Sequence, residues 1–229
     1  MNEKLDLKTL RLFPYVIFLM IVAIMISMLS PLIKMLTVGS ITDTSMYRMN
    51  NTIYMMCFFF LYLATIGILS CLYHMSMISI WFGIACNLSG AYIISEAVYF
   101  VAKWAATFYP ESNLVEVLLF LIGLIPSVSY MLIIVFVLVG AAYKYKELGK
   151  KNKKVACKKM VVYWISAFVI QILVNIIIQI EPDDIKVPLG FAIFVGVIFL
   201  YSFSVMIASY IRIKQFCYDL YLYTYNGRI

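Results

Sequence analysis

Glu96 is the side chain in this sequence whose setting most demands a chemical explanation. Between positions 52 and 109 the only charged residues are Glu96 and Lys103, so the carboxyl sits within a long apolar run. An ionisable group at the centre of a membrane-crossing helix costs on the order of 2.5 to 3.5 kcal/mol by insertion scales, and such groups mark ion or proton routes and partner contacts. Helical spacing puts Ser89 and Tyr92 on the face of Glu96. Lys103 shares that face two turns further on, beyond direct i to i+4 pairing, and is expected to snorkel outward.

A second polar stripe follows in the chain, where Gln171, Asn175 and Gln179 recur at every fourth residue and so line one helix face. With both host helices running outward, Glu96 and Asn175 lie at matching depth, roughly 7 to 8 Å inside the outer boundary at about 1.5 Å per residue. If those helices are neighbours, Glu96 hydrogen-bonds Asn175 and Gln171 extends the strip toward the midplane. The cluster of Glu96, Tyr92, Ser89, Gln171, Asn175 and Gln179 then has two readings. It is interhelical glue, at about 0.6 kcal/mol per interaction on average, or a proton- or cation-handling site whose carboxyl is neutral when desolvated and ionised when solvated or paired.

Catalysis finds less support. The single histidine, His74, stands outside any HExxH spacing, and no GxSxG elbow presents a serine. A thiol–imidazole arrangement of Cys71 or Cys86 with His74 lacks the activating, partly exposed setting that a nucleophilic cysteine needs. The five cysteines have neither metal-site nor disulfide-framework spacing. Cys57, Cys71 and Cys86 read as small hydrophobes, and Cys157 and Cys217 as juxtamembrane thiols open to acylation in a eukaryotic host. The expectation is a protein that is not an enzyme and carries no cofactor or metal.

The elements that must position these groups are transmembrane helices. The chain is 65% hydrophobic and 13% charged, with a mean hydropathy of +0.98, whereas soluble domains carry about 25% charged residues. Each span needs roughly 20 apolar residues, and the sequence divides into an all-α bundle of six in a single domain covering 1–229: 13–36, 53–73, 77–101, 115–142, 161–180 and 187–211. The first run is too long for a signal peptide and shows no small-residue cleavage site, so it reads as a retained span. The second and third spans share one apolar run, and its most polar interruption, at 73–76, is the expected hairpin. Pro126 falls inside the fourth span, where it removes a helix hydrogen bond.

Lys and Arg accumulate on the cytoplasmic side, and placing both ends there collects 14 of the 18 basic residues on one face. The net charge of +7 is then chiefly a topology signal, and no basic soluble surface exists for a nucleic acid. Most of these residues fall in a basic loop at 143–160, where Lys150, Lys151, Lys153, Lys154, Lys158 and Lys159 dominate. Such a loop attracts anionic lipid headgroups at roughly 1 kcal/mol per basic residue and could also dock a cytoplasmic partner. Trp104, Phe108 and Tyr109 mark an outer boundary, and Tyr143 and Tyr145 an inner one. The tyrosine-rich tail at 216–225 reads as a segment lying along the inner headgroup layer.

Six spans in about 230 residues with both ends inside resembles, in architecture, the permease subunits of ABC exporters. The N-terminal segment is shorter than the amphipathic lead helix such subunits often carry. The resemblance implies the membrane component of a transport system, with a separate cytoplasmic ATPase subunit as partner. The alternative is an accessory, immunity or scaffold protein acting on another membrane protein. Usage rich in Ile, Lys, Tyr, Met and Asn, residues of AT-rich codons, points to a low-GC bacterium and its cytoplasmic membrane.

Overall fold

The computed structural model describes residues 7–37, 44–106, 113–180 and 189–225. They form α1 (Leu7–Thr37), α2 (Thr44–Met75), α3 (Ile80–Ala106), α4 (Asn113–Glu147), α5 (Lys151–Ile180) and α6 (Leu189–Tyr225), with no strand among them. In lipid every backbone polar group must be satisfied within its own segment, which is why uninterrupted apolar runs become uninterrupted helices. Five of the described stretches are long and apolar enough to cross a membrane; the described apolar part of α2, Phe59–Met75, is shorter. The chain is an integral membrane helical bundle.

Consecutive helices pack side by side, and α1 against α6 closes the ring; α4 also touches α6, which leaves α5 on the outside against those two. The start of α1 and the end of α6 meet where Arg11 donates to the Tyr221 hydroxyl at 2.6 Å. Both tight turns lie at this same end, which we call the basic end.

The first turn falls close to the expected place, with α2 running through Met75 and residues 76–79 forming the connection. The Ser76 hydroxyl donates to the Tyr73 carbonyl at 2.6 Å and so takes up a carbonyl at the helix end. Ser79 caps α3, its Oγ accepting from the Trp81 amide at 3.4 Å as an N-cap residue does.

The second turn overturns an expectation. No extended loop occupies 143–160: α4 continues to Glu147, α5 begins at Lys151, and lysine, a good helix former, carries the helices through the charge block. The break comes at Gly149, whose φ of 72° is open to glycine and costly for side chains. The Lys150 amide donates to the Tyr145 carbonyl at 2.9 Å and the Gly149 amide to the Lys146 carbonyl at 3.2 Å, the bond pair that ends a helix on a left-handed glycine.

The tail expectation is corrected as well. Residues 216–225 do not leave the bundle but continue α6, whose 37 residues span about 55 Å at 1.5 Å per residue, against a hydrocarbon core of about 30 Å. Phe216, Cys217 and Leu220 are buried, so the segment packs inward. Cys157 and Cys217 are each 1% exposed, packed within the bundle, and Tyr145 is a core residue at 2% rather than a boundary aromatic.

Among the described residues, burial is concentrated at the basic end. Phe82 stacks on Phe216 with ring centroids 5.7 Å apart, Tyr145 meets Phe216 edge-on at 5.5 Å, and Ile68, Leu72, Met75 and Leu138 fill the space around them. Gly140 admits the Phe82 ring, which would stand 3.0 Å from a Cβ placed there. Gly140→Leu overpacks this core and is expected to cost about 1–3 kcal/mol, read as a lower unfolding temperature in detergent. Gly90→Leu, at a site where a Cβ meets nothing within 4 Å, serves as the comparison and should change little.

Candidate functional site: the α3 seam and the basic hairpin

Phe82, Ala85, Ser89 and Tyr92, buried on α3, recur at alternating steps of three and four, with buried Cys86 beside Ala85. Glu96 and Tyr99, both half-buried, continue the series. The opposite face, with Ile94, Val98 and Val101, is exposed. Glu96 therefore lies on the inward seam of α3. Ser89, fully buried, returns its hydroxyl to the Ala85 carbonyl at 2.9 Å, the usual internal bond of a serine in an apolar helix.

Two close approaches fix the register of α3 on α4. A Cβ on Gly140 would meet Phe82, and a Cβ on Gly123 would meet Tyr99, each at 3.0 Å. Moving from the first contact to the second is the same number of residues along either helix. The helices are antiparallel, and three steps back from Tyr99 and three on from Gly123 set Glu96 level with Pro126. There α4 lacks an amide donor, which frees a carbonyl one turn back, at Ile122. The Ser127 hydroxyl adds a bond to the Gly123 carbonyl at 3.0 Å.

Gln171 also lies on a seam. On α5 the buried series is Cys157, Met160, Trp164, Ala167 and Val174, and half-buried Gln171 falls between the last two. Among the described residues the two seams do not meet. Among the described residues α3 touches α2 and α4, and α5 touches α4 and α6, so α4 stands between the helices that a Glu96–Asn175 pair requires to be neighbours. Equal depth says nothing about order around a ring. The side chains of Asn175, Gln179 and Lys103 lie outside the described residues. His74 is exposed and meets the Tyr73 ring edge-on at 5.7 Å, whereas Cys71 and Cys86 are buried.

The lysines of the α4–α5 hairpin divide into two groups. Lys153 reaches Asp219 at 2.6 Å and Lys150 reaches it at 3.3 Å, while the Tyr145 hydroxyl donates to the same carboxylate at 2.8 Å. Lys150 also stands 4.7 Å from the Tyr223 ring centroid. The other group is directed outward: Lys146, Lys151, Lys158 and Lys159 are exposed and Lys154 half-exposed. Lys144 pairs with Glu147 at 2.8 Å.

Asp219 was not among the expected site residues, yet it ties the end of α6 to both arms of the hairpin. It lies eight residues beyond the expected end of the sixth span, at the basic end of α6. Burial alone would raise its pKa, but hydrogen bonds from Lys153 and Tyr145 and the charges of Lys153 and Lys150 hold it below the ordinary carboxylate value. Such a group contributes its full stabilisation above the unfolded value of about 3.9 and loses it as pH falls through the folded value. Asp219→Asn is expected to cost about 1–2 kcal/mol near neutral pH, since charge-assisted bonds to partly exposed lysines are screened. Thermal unfolding in detergent at pH 7 and again near pH 3 checks this, because the gap between wild type and variant should narrow at the lower pH.

Comparison of the chain with protein-family models, with curated proteins and with solved structures finds no match.

Proposed function

We propose that this protein is the membrane component of a transport system, set in a bacterial cytoplasmic membrane with its basic end in the cytoplasm and worked through a separate ATPase subunit. The inward placement of Glu96 on the α3 seam carries this reading. A carboxyl kept for packing against lipid or a lateral partner would lie on the exposed face with Ile94 and Val98, and this one does not. Level with the Pro126 break, it has a flexible point of α4 beside it, where a proton or cation held by the carboxyl can be coupled to helix movement.

The hairpin provides the attachment. Lys146, Lys151, Lys154, Lys158 and Lys159 present positive charge to a partner or to anionic headgroups, while Lys150 and Lys153 bind Asp219. A force applied to the tip is therefore delivered to α4, α5 and α6 together. These helices are continuous from the tip into the membrane, with no loop to absorb the displacement.

A second reading is an accessory, immunity or scaffold protein acting through a membrane partner. The filled interior at the basic end, where Phe82, Phe216 and Tyr145 pack ring against ring, favours it over an open passage.

The deciding experiment is affinity purification of the tagged protein from its native host in mild detergent, followed by mass spectrometry. A nucleotide-binding subunit in stoichiometric amount is expected, and its loss on replacing Lys151, Lys154, Lys158 and Lys159 by Ala would place the contact on the hairpin. Recovery with another integral membrane protein and no ATPase would favour the second reading. Recovery alone would leave a self-contained carrier, for which Glu96→Gln should abolish proton-coupled uptake in proteoliposomes while leaving the amount of folded protein unchanged.

A further inference from the structure

Among the described residues, four buried side-chain polar atoms have no hydrogen-bond partner: the Tyr130 hydroxyl, the Trp164 indole nitrogen, and the hydroxyls of Ser202 and Ser209. Leaving such a group unmade costs about 1–3 kcal/mol, and lipid surroundings offer no relief. All four lie on α4, α5 and α6, the three helices that touch one another pairwise.

Three of them also share one depth. The Tyr130 and Trp164 rings meet edge-on with centroids 5.9 Å apart. Ser166, two residues beyond Trp164, is bonded through its hydroxyl to that of Tyr201 at 2.8 Å, which brings neighbouring Ser202 to the same level. The Tyr145–Asp219 bond gives an independent measure. It sets the offset between the parallel helices α4 and α6 at 74 residues and puts Tyr130 opposite Ser204, about 3 Å from Ser202 along the axis. Ser209 lies about two turns nearer the basic end.

The serines show that this is not a generic feature of apolar helices. Ser89, Ser127 and Ser204 each bond back to the carbonyl four residues earlier. Ser202 and Ser209, at 3% and 0% exposed, make no such bond and face the interior.

We propose that α4, α5 and α6 form a binding site for a small uncharged hydrogen-bonding molecule, held by the Tyr130 hydroxyl, the Trp164 indole N–H and the Ser202 hydroxyl. The indole can only donate, whereas the two hydroxyls donate or accept, so the ligand must offer at least one acceptor. It carries no charge, because α4, α5 and α6 contain no charged residue at this depth and a buried ion without a counter-charge is far too costly. Water satisfies these requirements with the three or so bonds a buried water makes, and so does a small alcohol or polyol. The site does not depend on the transport reading.

The test uses full-length protein in liposomes with Trp81→Phe and Trp104→Phe, which leaves Trp164 as the only indole. With a ligand in place, Trp164 emission brightens when H2O is replaced by D2O, although the indole is shielded from bulk solvent. Tyr130→Phe and, separately, Ser202→Ala then diminish that brightening and lower the unfolding temperature, because each removes a bond to the ligand. A glycerol titration distinguishes the sources: a saturable shift in Trp164 emission identifies a polyol site, and a D2O response without one identifies water. No D2O or glycerol response, together with a raised unfolding temperature in Tyr130→Phe, would overturn the proposal, since deleting a dry, unpaired hydroxyl removes its cost.

Discussion

The length mismatch between helices and bilayer governs much of this structure. α4, α5 and α6 are 35, 30 and 37 residues long, where about 20 suffice to cross the hydrocarbon, so the excess must be stabilised without lipid. The Asp219 carboxylate supplies the junction, accepting Lys153 and Tyr145 while facing Lys150. Its three partners come from both arms of the hairpin, so one side chain on α6 fixes α4 and α5 together. Beneath it the Phe82–Phe216–Tyr145 stack fills the space between helices. Arg11 on Tyr221 then ties the start of α1 to the same segment of α6 and closes the ring.

Hydropathy made the spans readable because each apolar run had only one structure available to it in lipid. The turn between α2 and α3 was readable from Ser76 and its neighbours for a similar reason: a polar break within an apolar run long enough for two crossings must be a reversal. The charge block suggests a loop, yet lysine disfavours helix only slightly and Gly149 is the single strong breaker between 143 and 160. The tyrosines of the tail suggest an interface, yet Phe216, Cys217 and Leu220 pack inward. The spacing of Ser209, Ile213, Phe216 and Leu220 already continued the α6 seam, and a lone Asp219 among basic and aromatic residues was a sign of a counter-ion.

The inward seams were legible as helix faces, but the order of helices around the ring was not. Glu96 and Gln171 share faces with buried residues, as the sequence periodicity implied. Whether α3 adjoins α5 depends on tertiary packing that no single-helix pattern encodes. Gly123 and Gly140 decide it in favour of α4, since each admits an aromatic ring from α3 close to the backbone. Those two glycines were informative only once the rings facing them were known.

Packing differs along the bundle in a way that limits how it can move. On α4, Ile133, Ile134, Val137, Leu138, Ala141 and Tyr145 are buried, whereas Val117, Leu118, Leu121 and Ile125 are exposed. Pro126 stands at the change from one regime to the other. A close-packed core resists continuous deformation, and a helix bends most readily where a hydrogen bond is already missing. The bond missing at Pro126 makes it the natural pivot of α4, between the close-packed basic end and the opposite half of the helix. Glu96 lies at the level of that pivot, on the α3 face that packs against α4. Asp219 lies far from the pivot, and releasing it would loosen the basic end without bending α4.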